Sequence, residues 1–289
     1  MDAADDAAYH RLAHTRGRRV LGEPVLIVAM FLVGAVVVSA VTVAVAGVEH
    51  LDDLDGPSGL VAGLGSLALL IPMAKLAATA VGRPSGQLSS VVGRLRWRWL
   101  FECVGLALIA NVIALGGTVV VVELLDNVVG LDDSADTSAW VGWATFLPTA
   151  AVVLLLVPLQ AAGEEFVVRG TLVQVVGVWA KTPWLPILIS SLVFALIHLT
   201  ALEPSVFLFV MGAISAWLTI KTGGLEAGIA GHAFNNTVIL LVVAATQPEL
   251  LEQQDPNAGA ELGPMVSQSA GIVLYAALVL RRHRRVHGA

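Results

Sequence analysis

The strongest constraint on this chain is a succession of long apolar stretches separated by short charged linkers. They fall at roughly 25–48, 58–82, 100–122, 139–162, 184–201, 205–220, 226–246 and 264–280. About 20 apolar residues suffice to cross the hydrocarbon core of a bilayer as a helix. No water is present there, so each span must satisfy its own backbone, and none of the stretches alternates with the period of two that a barrel requires. The expected fold is therefore all-α: a polytopic membrane protein with about eight transmembrane helices. Composition agrees, because 57% hydrophobic and 13% charged residues lie outside the range of ordinary soluble domains.

The charges between the spans alternate in sign. Arg11, Arg16, Arg18 and Arg19 precede the first span, and Arg83, Arg94, Arg96 and Arg98 separate the second from the third. Lys181, Lys221 and the Arg281, Arg282, Arg284, Arg285 tail complete one set. The other linkers carry Glu49, Asp52, Asp53 and Asp55, then Glu123, Asp126, Asp132, Asp133 and Asp136, then Glu203, then Glu249, Glu252, Asp255 and Glu261. Eight alternating spans place 14 of the 16 Lys and Arg residues on one side. The positive-inside rule makes that side cytoplasmic, with both termini inside, and the expected location is a prokaryotic plasma membrane. Lys75 is expected to snorkel to the inner interface, and Trp97, Trp99, Trp140 and Trp184 to anchor span ends. The first span exceeds the length of a signal-peptide core and is expected to be an uncleaved anchor.

A single cysteine, Cys103, excludes an intramolecular disulfide and a cysteine metal cluster, and is expected to be a small packed side chain. The net charge of −6 argues against a nucleic-acid partner. The two longer acidic linkers, about 123–138 and 247–263, are too short to fold alone. No internal repeat is apparent.

Against this apolar background three polar signatures stand out, and ionisable groups at membrane depth are costly enough to indicate function. The first is Glu164-Glu165 with Arg169. On a helix Glu165 and Arg169 are i and i+4 and share a face, so Arg169 can neutralise Glu165 through a fork, while Glu164 is turned about 100° away. Glu164 then suits a general base. The second is Phe194 one turn before His198, and the third is His232 one turn before Asn236. Each has a structural alternative: an interfacial ion-pair network, a hydrogen-bonded packing histidine, or an asparagine gluing helices together. One shared cavity accounts for all three at once.

Such a cavity has a definite chemistry. A carboxylate and an imidazole holding a water can take its proton as it attacks a carbonyl, while a second imidazole and an amide stabilise the oxyanion. The same side chains could instead hold zinc, with Glu164, His198 and His232 as the ligand set. The His-Glu-x-x-His helix of common zinc proteases is absent, and metal dependence stays open at this point.

Glu164-Glu165-x-x-x-Arg169, Phe194-x-x-x-His198 and His232-x-x-x-Asn236, in this order, resemble the CPBP intramembrane protease family. It comprises the CAAX prenyl endopeptidases and their bacterial Abi-type relatives associated with bacteriocin processing and self-immunity. The resemblance covers about residues 140–246. It implies that Glu164 and His198 activate the water, that His232 and Asn236 form the oxyanion site, and that Glu165, Arg169 and Phe194 support them. It further implies a peptide or membrane-protein substrate met within membrane lipid. The family is labelled metalloprotease, although a glutamate-dependent reaction without a ligated metal is also argued for it, and the latter is slightly preferred with zinc kept as the alternative. The corresponding division of the chain is a tail at 1–24, three spans at 25–138, a protease core in spans four to seven at 139–246, an acidic outer linker at 247–263 and a last span with a basic tail at 264–289. Two other classes compete with an endopeptidase. One is a noncatalytic scaffold or immunity protein that keeps the fold, and the other is a proton-coupled transporter, for which paired broken helices are lacking.

A helix ruler puts strain on this reading. With spans ending as given, His198, His232 and Glu164 lie at different depths. Either span four continues past Arg169 toward Lys181 after a break near Pro158 or Gly163, or the helices are strongly tilted. The stretch 139–180 is too long for one straight span, so a kink or a separate helix is expected there.

Overall fold

The computed structural model describes residues 8–46, 57–129, 140–198, 200–246 and 262–287. Among them no strand occurs, and the helices are α1 (Gly22–Ala46), α2 (Pro57–Ala68), α3 (Leu70–Ala80), α4 (Trp97–Val129), α5 (Trp143–Glu165), α6 (Val173–Gly177), α7 (Trp184–Ile197), α8 (Leu202–Thr222), α9 (Glu226–Thr246) and α10 (Leu262–His287). Six helical runs among the described residues are long and apolar enough to cross a membrane, against eight apolar stretches in the sequence; Trp184–Ile197 is a shorter apolar helix. The acidic residues at 49–55, 132–136 and 249–261 lie outside the described residues.

The fourth run passes the nominal end near 162 and continues from Trp143 to Gly177 over 35 residues, in line with the expected continuation past Arg169 toward Lys181. Pro148 and Pro158 sit inside it without interrupting the helix. The expected irregularity lies further on, where Phe166–Leu172 form a π-helical stretch between α5 and α6. Its wider turn is marked by the Thr171 hydroxyl, which donates to the Phe166 carbonyl five residues back at 3.4 Å. Single π turns recur at functional sites because they re-aim side chains within an otherwise regular helix.

Burial along this run explains its position. In the first half, Ala150, Val153, Val157, Gln160 and Ala161 are buried while Leu154, Leu155 and Leu159 are exposed, an i, i+3, i+4 stripe against the bundle. From Gly163 to Arg169 nearly every residue is buried, so this helix enters the centre of the protein. α7 is the short helix: 14 residues span about 21 Å, less than the hydrocarbon thickness. Trp184, 61% exposed, stands at its start as an anchor. His198 follows its last turn as the C-cap residue and is half-buried.

Buried polar contacts that a linear reading assigns to loops tie the segments between helices to the bundle. Arg83 pairs with Glu23 through two nitrogens and donates to Gln174 Oε1 at 2.5 Å, all three side chains being buried. Arg96 pairs with the buried Glu226 at 2.7 Å and donates to the Thr222 carbonyl at 2.9 Å. The turn between α8 and α9 needs Gly223, at φ 72°. It is clipped to the 89–91 segment by Val91 N–H to Gly223 O and Leu225 N–H to Ser89 O. Tyr9 donates to the Leu88 carbonyl, and burial pushes its phenol well above the ordinary range, so it remains a donor.

Several single-residue expectations are resolved here. Cys103 is fully buried against Ala107, Ala227 and Tyr275, as a small packing residue. Trp97 and Trp140 are exposed anchors, but Trp99 is 8% exposed and belongs to the core between α4 and α10, where it meets the His283 ring. The Lys75 ammonium lies 5.3 Å from the centre of the Phe166 ring, a cation–π contact.

Candidate active site

The last turn of α5, the π-helical stretch, the end of α7 and the first half of α9 bring the polar signatures together. Glu165 is fully buried and surrounded by donors. Its Oε1 lies 3.0 Å from His232 Nδ1 and 3.1 Å from Arg169 Nη1, and its Oε2 accepts from Ser215 Oγ at 2.8 Å. His232 is therefore the Nδ1–H tautomer toward Glu165, leaving Nε2 to face the site.

Arg169 is held differently from the fork expected on helix geometry. Its guanidinium is fully buried and close to Glu165, yet among the described residues no acceptor lines up with any of its N–H bonds. Instead it lies 4.4 Å from the centre of the Phe194 ring, a cation–π contact in a desolvated position. The π-helical register explains the difference, because Arg169 leaves the helix in a different direction from an α-helical i+4 residue.

Glu164 turns away from Arg169, as the 100° rotation requires, and its side chain is also buried. Oε1 accepts a hydrogen bond from Gln160 Nε2. Among the described residues Oε2 has no hydrogen-bond partner, and it lies 3.7 Å from His232 Nε2. That gap is too long for a direct hydrogen bond. Asn236 completes this corner: its Nδ2 is 3.1 Å from His232 Nε2 and 3.5 Å from Gln160 Oε1, while its Oδ1 accepts from Asn235 at 3.3 Å.

His198 approaches from another side. Its Nδ1 is 2.7 Å from the Phe194 carbonyl, which fixes the proton on Nδ1 and leaves Nε2 as the free nitrogen. The imidazole stacks edge-on against Phe194 at 4.6 Å, and the same ring meets His232 at 5.6 Å. Phe194, fully buried, is thus the post on which both histidines and Arg169 are arranged. The structure places His232 beside Glu164, whereas His198 joins the cluster through Phe194.

That arrangement bears on metal binding. Among the described residues no three His, Cys, Asp or Glu side chains converge as a ligand set. Glu164, His198 and His232, named from the sequence, are not assembled around one point, and His232 Nε2 is already met by the Asn236 amide. The residues as placed do not fit a zinc ion, and no step is routed through one.

Two residues of the cluster escaped the sequence reading. Gln160 and Ser215 are uncharged, belong to none of the three signatures, and differ from ordinary interhelical hydrogen-bonding residues only in what they touch. Backbone space matters as well. A Cβ on Gly228 would lie 2.6 Å from Ser215 Oγ and 2.8 Å from Glu165 Oε2. Gly228→Ala is expected to destabilise by about 1–3 kcal/mol through overpacking, read as a lowered thermal midpoint in detergent.

Residues 144–238 match the family described as Type II CAAX prenyl endopeptidase Rce1-like, so the resemblance read from the motifs holds over these residues. The chain is also 30% identical over 105 residues to the uncharacterized protein YyaK of Bacillus subtilis (strain 168), a match covering 34% of this chain and 35% of that relative. The chain thus covers about a third of the length of the curated relative it matches. No solved structure matches. The matched family is one of endopeptidases, and the segment it covers contains every polar residue of the cluster.

Proposed function

We propose, from the Rce1-like match of residues 144–238 and the geometry around Glu164, that the chain is an intramembrane endopeptidase. It hydrolyses a peptide bond of a membrane-associated protein or peptide with an activated water. The observation that carries this reading is the buried, unpartnered Glu164 Oε2 set 3.7 Å from His232 Nε2 beside the Asn236 amide.

In this mechanism Glu164 Oε2 takes a proton from the water as its oxygen attacks the scissile carbonyl carbon. His198, which reaches the cluster through Phe194, is assigned to the same water by the family resemblance, with Nε2 as its free nitrogen. The oxyanion is met by Asn236 Nδ2–H and, when His232 carries both protons, by its Nε2–H, with Glu165 holding the opposite side of that ring. Glu164 then returns its proton to the leaving amine. No covalent intermediate and no metal are used. The termini and the Arg-rich linkers face the cytoplasm, in accord with the positive-inside rule.

The test is cleavage of an internally quenched peptide library, with prenylated and unprenylated members, by purified protein in detergent. His198→Ala is expected to lower kcat by about 10²-fold or more, and cleavage is expected to persist in chelator. Equal cleavage by wild type, Glu164→Ala and His198→Ala overturns the mechanism. Loss in chelator with recovery on zinc overturns its metal-free part.

A further inference from the structure

We propose that Gln160 is the positioning residue of this site, holding Glu164 and Asn236 in register and selecting Glu164 Oε2 as the oxygen that receives the proton. The proposal rests on the reading of Glu164 as the base. Gln160 is on α5, one turn before Glu164, and only 5% exposed. Its neighbours on that helix face are Val153, Val157 and Ala161, where a leucine would fill the space at lower cost. A primary amide at this depth must therefore be satisfied by something specific. Both ends of it are used inside the cluster: Nε2 donates to Glu164 Oε1, and Oε1 faces Asn236 Nδ2 at 3.5 Å.

Each contact resolves an ambiguity that the site would otherwise have. A carboxylate can present either oxygen by turning about its last torsion, and the two are chemically equal. With Oε1 tied to Gln160, only Oε2 is left without a partner, and it is the oxygen nearest His232 Nε2. Asn236 can likewise turn its amide end for end. Gln160 Oε1 accepts only from the nitrogen end, and Asn235 donates at 3.3 Å to the oxygen end, so Nδ2 is kept toward His232. The 3.5 Å contact is the longest Asn236 makes, and a substrate carbonyl oxygen replaces it at least cost. Gln160 thus parks the oxyanion donor until substrate arrives.

Two variants of nearly the same shape separate positioning from packing. Gln160→Met keeps the volume and removes both hydrogen bonds. It is expected to lower kcat on the same quenched peptides by about 10- to 100-fold with KM within about threefold, as expected for a misplaced base. Gln160→Glu keeps the shape and sets a second carboxylate against Glu164; its kcat is expected to fall below that of Gln160→Met. Wild-type kcat in Gln160→Met, or a raised KM with kcat unchanged, overturns the proposal.

An infrared measurement reads the same contact without turnover. The Glu164 carboxylate band, identified by its loss in Glu164→Gln, is expected to shift in both Gln160 variants; an unmoved band overturns the proposal whatever the activity. Should Gln160→Met not fold, the band in Gln160→Glu decides. Failure of the catalytic reading itself appears elsewhere, as wild-type cleavage by Glu164→Gln.

Discussion

Glu164→Gln is expected to lower kcat by about 10²–10⁴-fold while leaving KM and the thermal midpoint close to wild type. The substitution keeps the shape of the side chain and can still accept from Gln160 through its carbonyl oxygen. What it removes is the free oxygen facing His232 Nε2. The loss therefore isolates proton acceptance from packing, and falls on kcat because the proton moves only in the transition state. Steady-state cleavage of the quenched peptides, with a melt in the same detergent, checks both halves. A variant that cleaves normally would transfer the role of base to another group in the cluster.

The second large effect concerns stability. Arg169→Met leaves Glu165 as a fully buried carboxylate facing only His232 Nδ1 and Ser215 Oγ. Removing one partner of a buried pair costs about 3–5 kcal/mol, because the remaining charge is uncompensated. The double variant Arg169→Met, Glu165→Gln removes the charge as well, and is expected to recover most of the loss, since an amide at 165 can accept from His232 through its oxygen and donate to the Ser215 hydroxyl through its nitrogen. Denaturation midpoints of the single and double variants in detergent measure the difference. A single variant as stable as wild type would mean that the Phe194 face, rather than the charge of Glu165, is the reason Arg169 is there.

The pairs written within one helix were legible in advance. Glu165 with Arg169, Phe194 with His198, and His232 with Asn236 each follow from a spacing of four, and each pair is in contact in the structure. What spacing does not encode is how one helix is turned against another. His232 rather than His198 lies beside Glu164, an outcome set by helix tilt and by the π-helical register after Glu165. The fourth span was cut short near 162 because Glu164, Glu165 and Arg169 depress the local hydropathy. Their mutual neutralisation, which lets the helix continue to Gly177, is a three-dimensional property. Arg83 and Arg96 show the same limit: a linear count sees loop charges, and only folding reveals that Glu23 and Glu226 cover them.

The pairing of Arg96 with Glu226 also sets an order in time. The two residues are separated by 130 positions, so at ribosomal speed the carboxylate emerges on the order of ten seconds after the arginine. Throughout that interval Arg96 is an unpaired cation next to a newly inserted span, able to hold that segment on its side of the membrane. Once α8 and α9 arrive, the same guanidinium is withdrawn from water and fastens the turn that starts the helix carrying His232. One side chain thus serves first as an address during insertion and later as a fastener of the finished protein, once the helix carrying His232 has arrived.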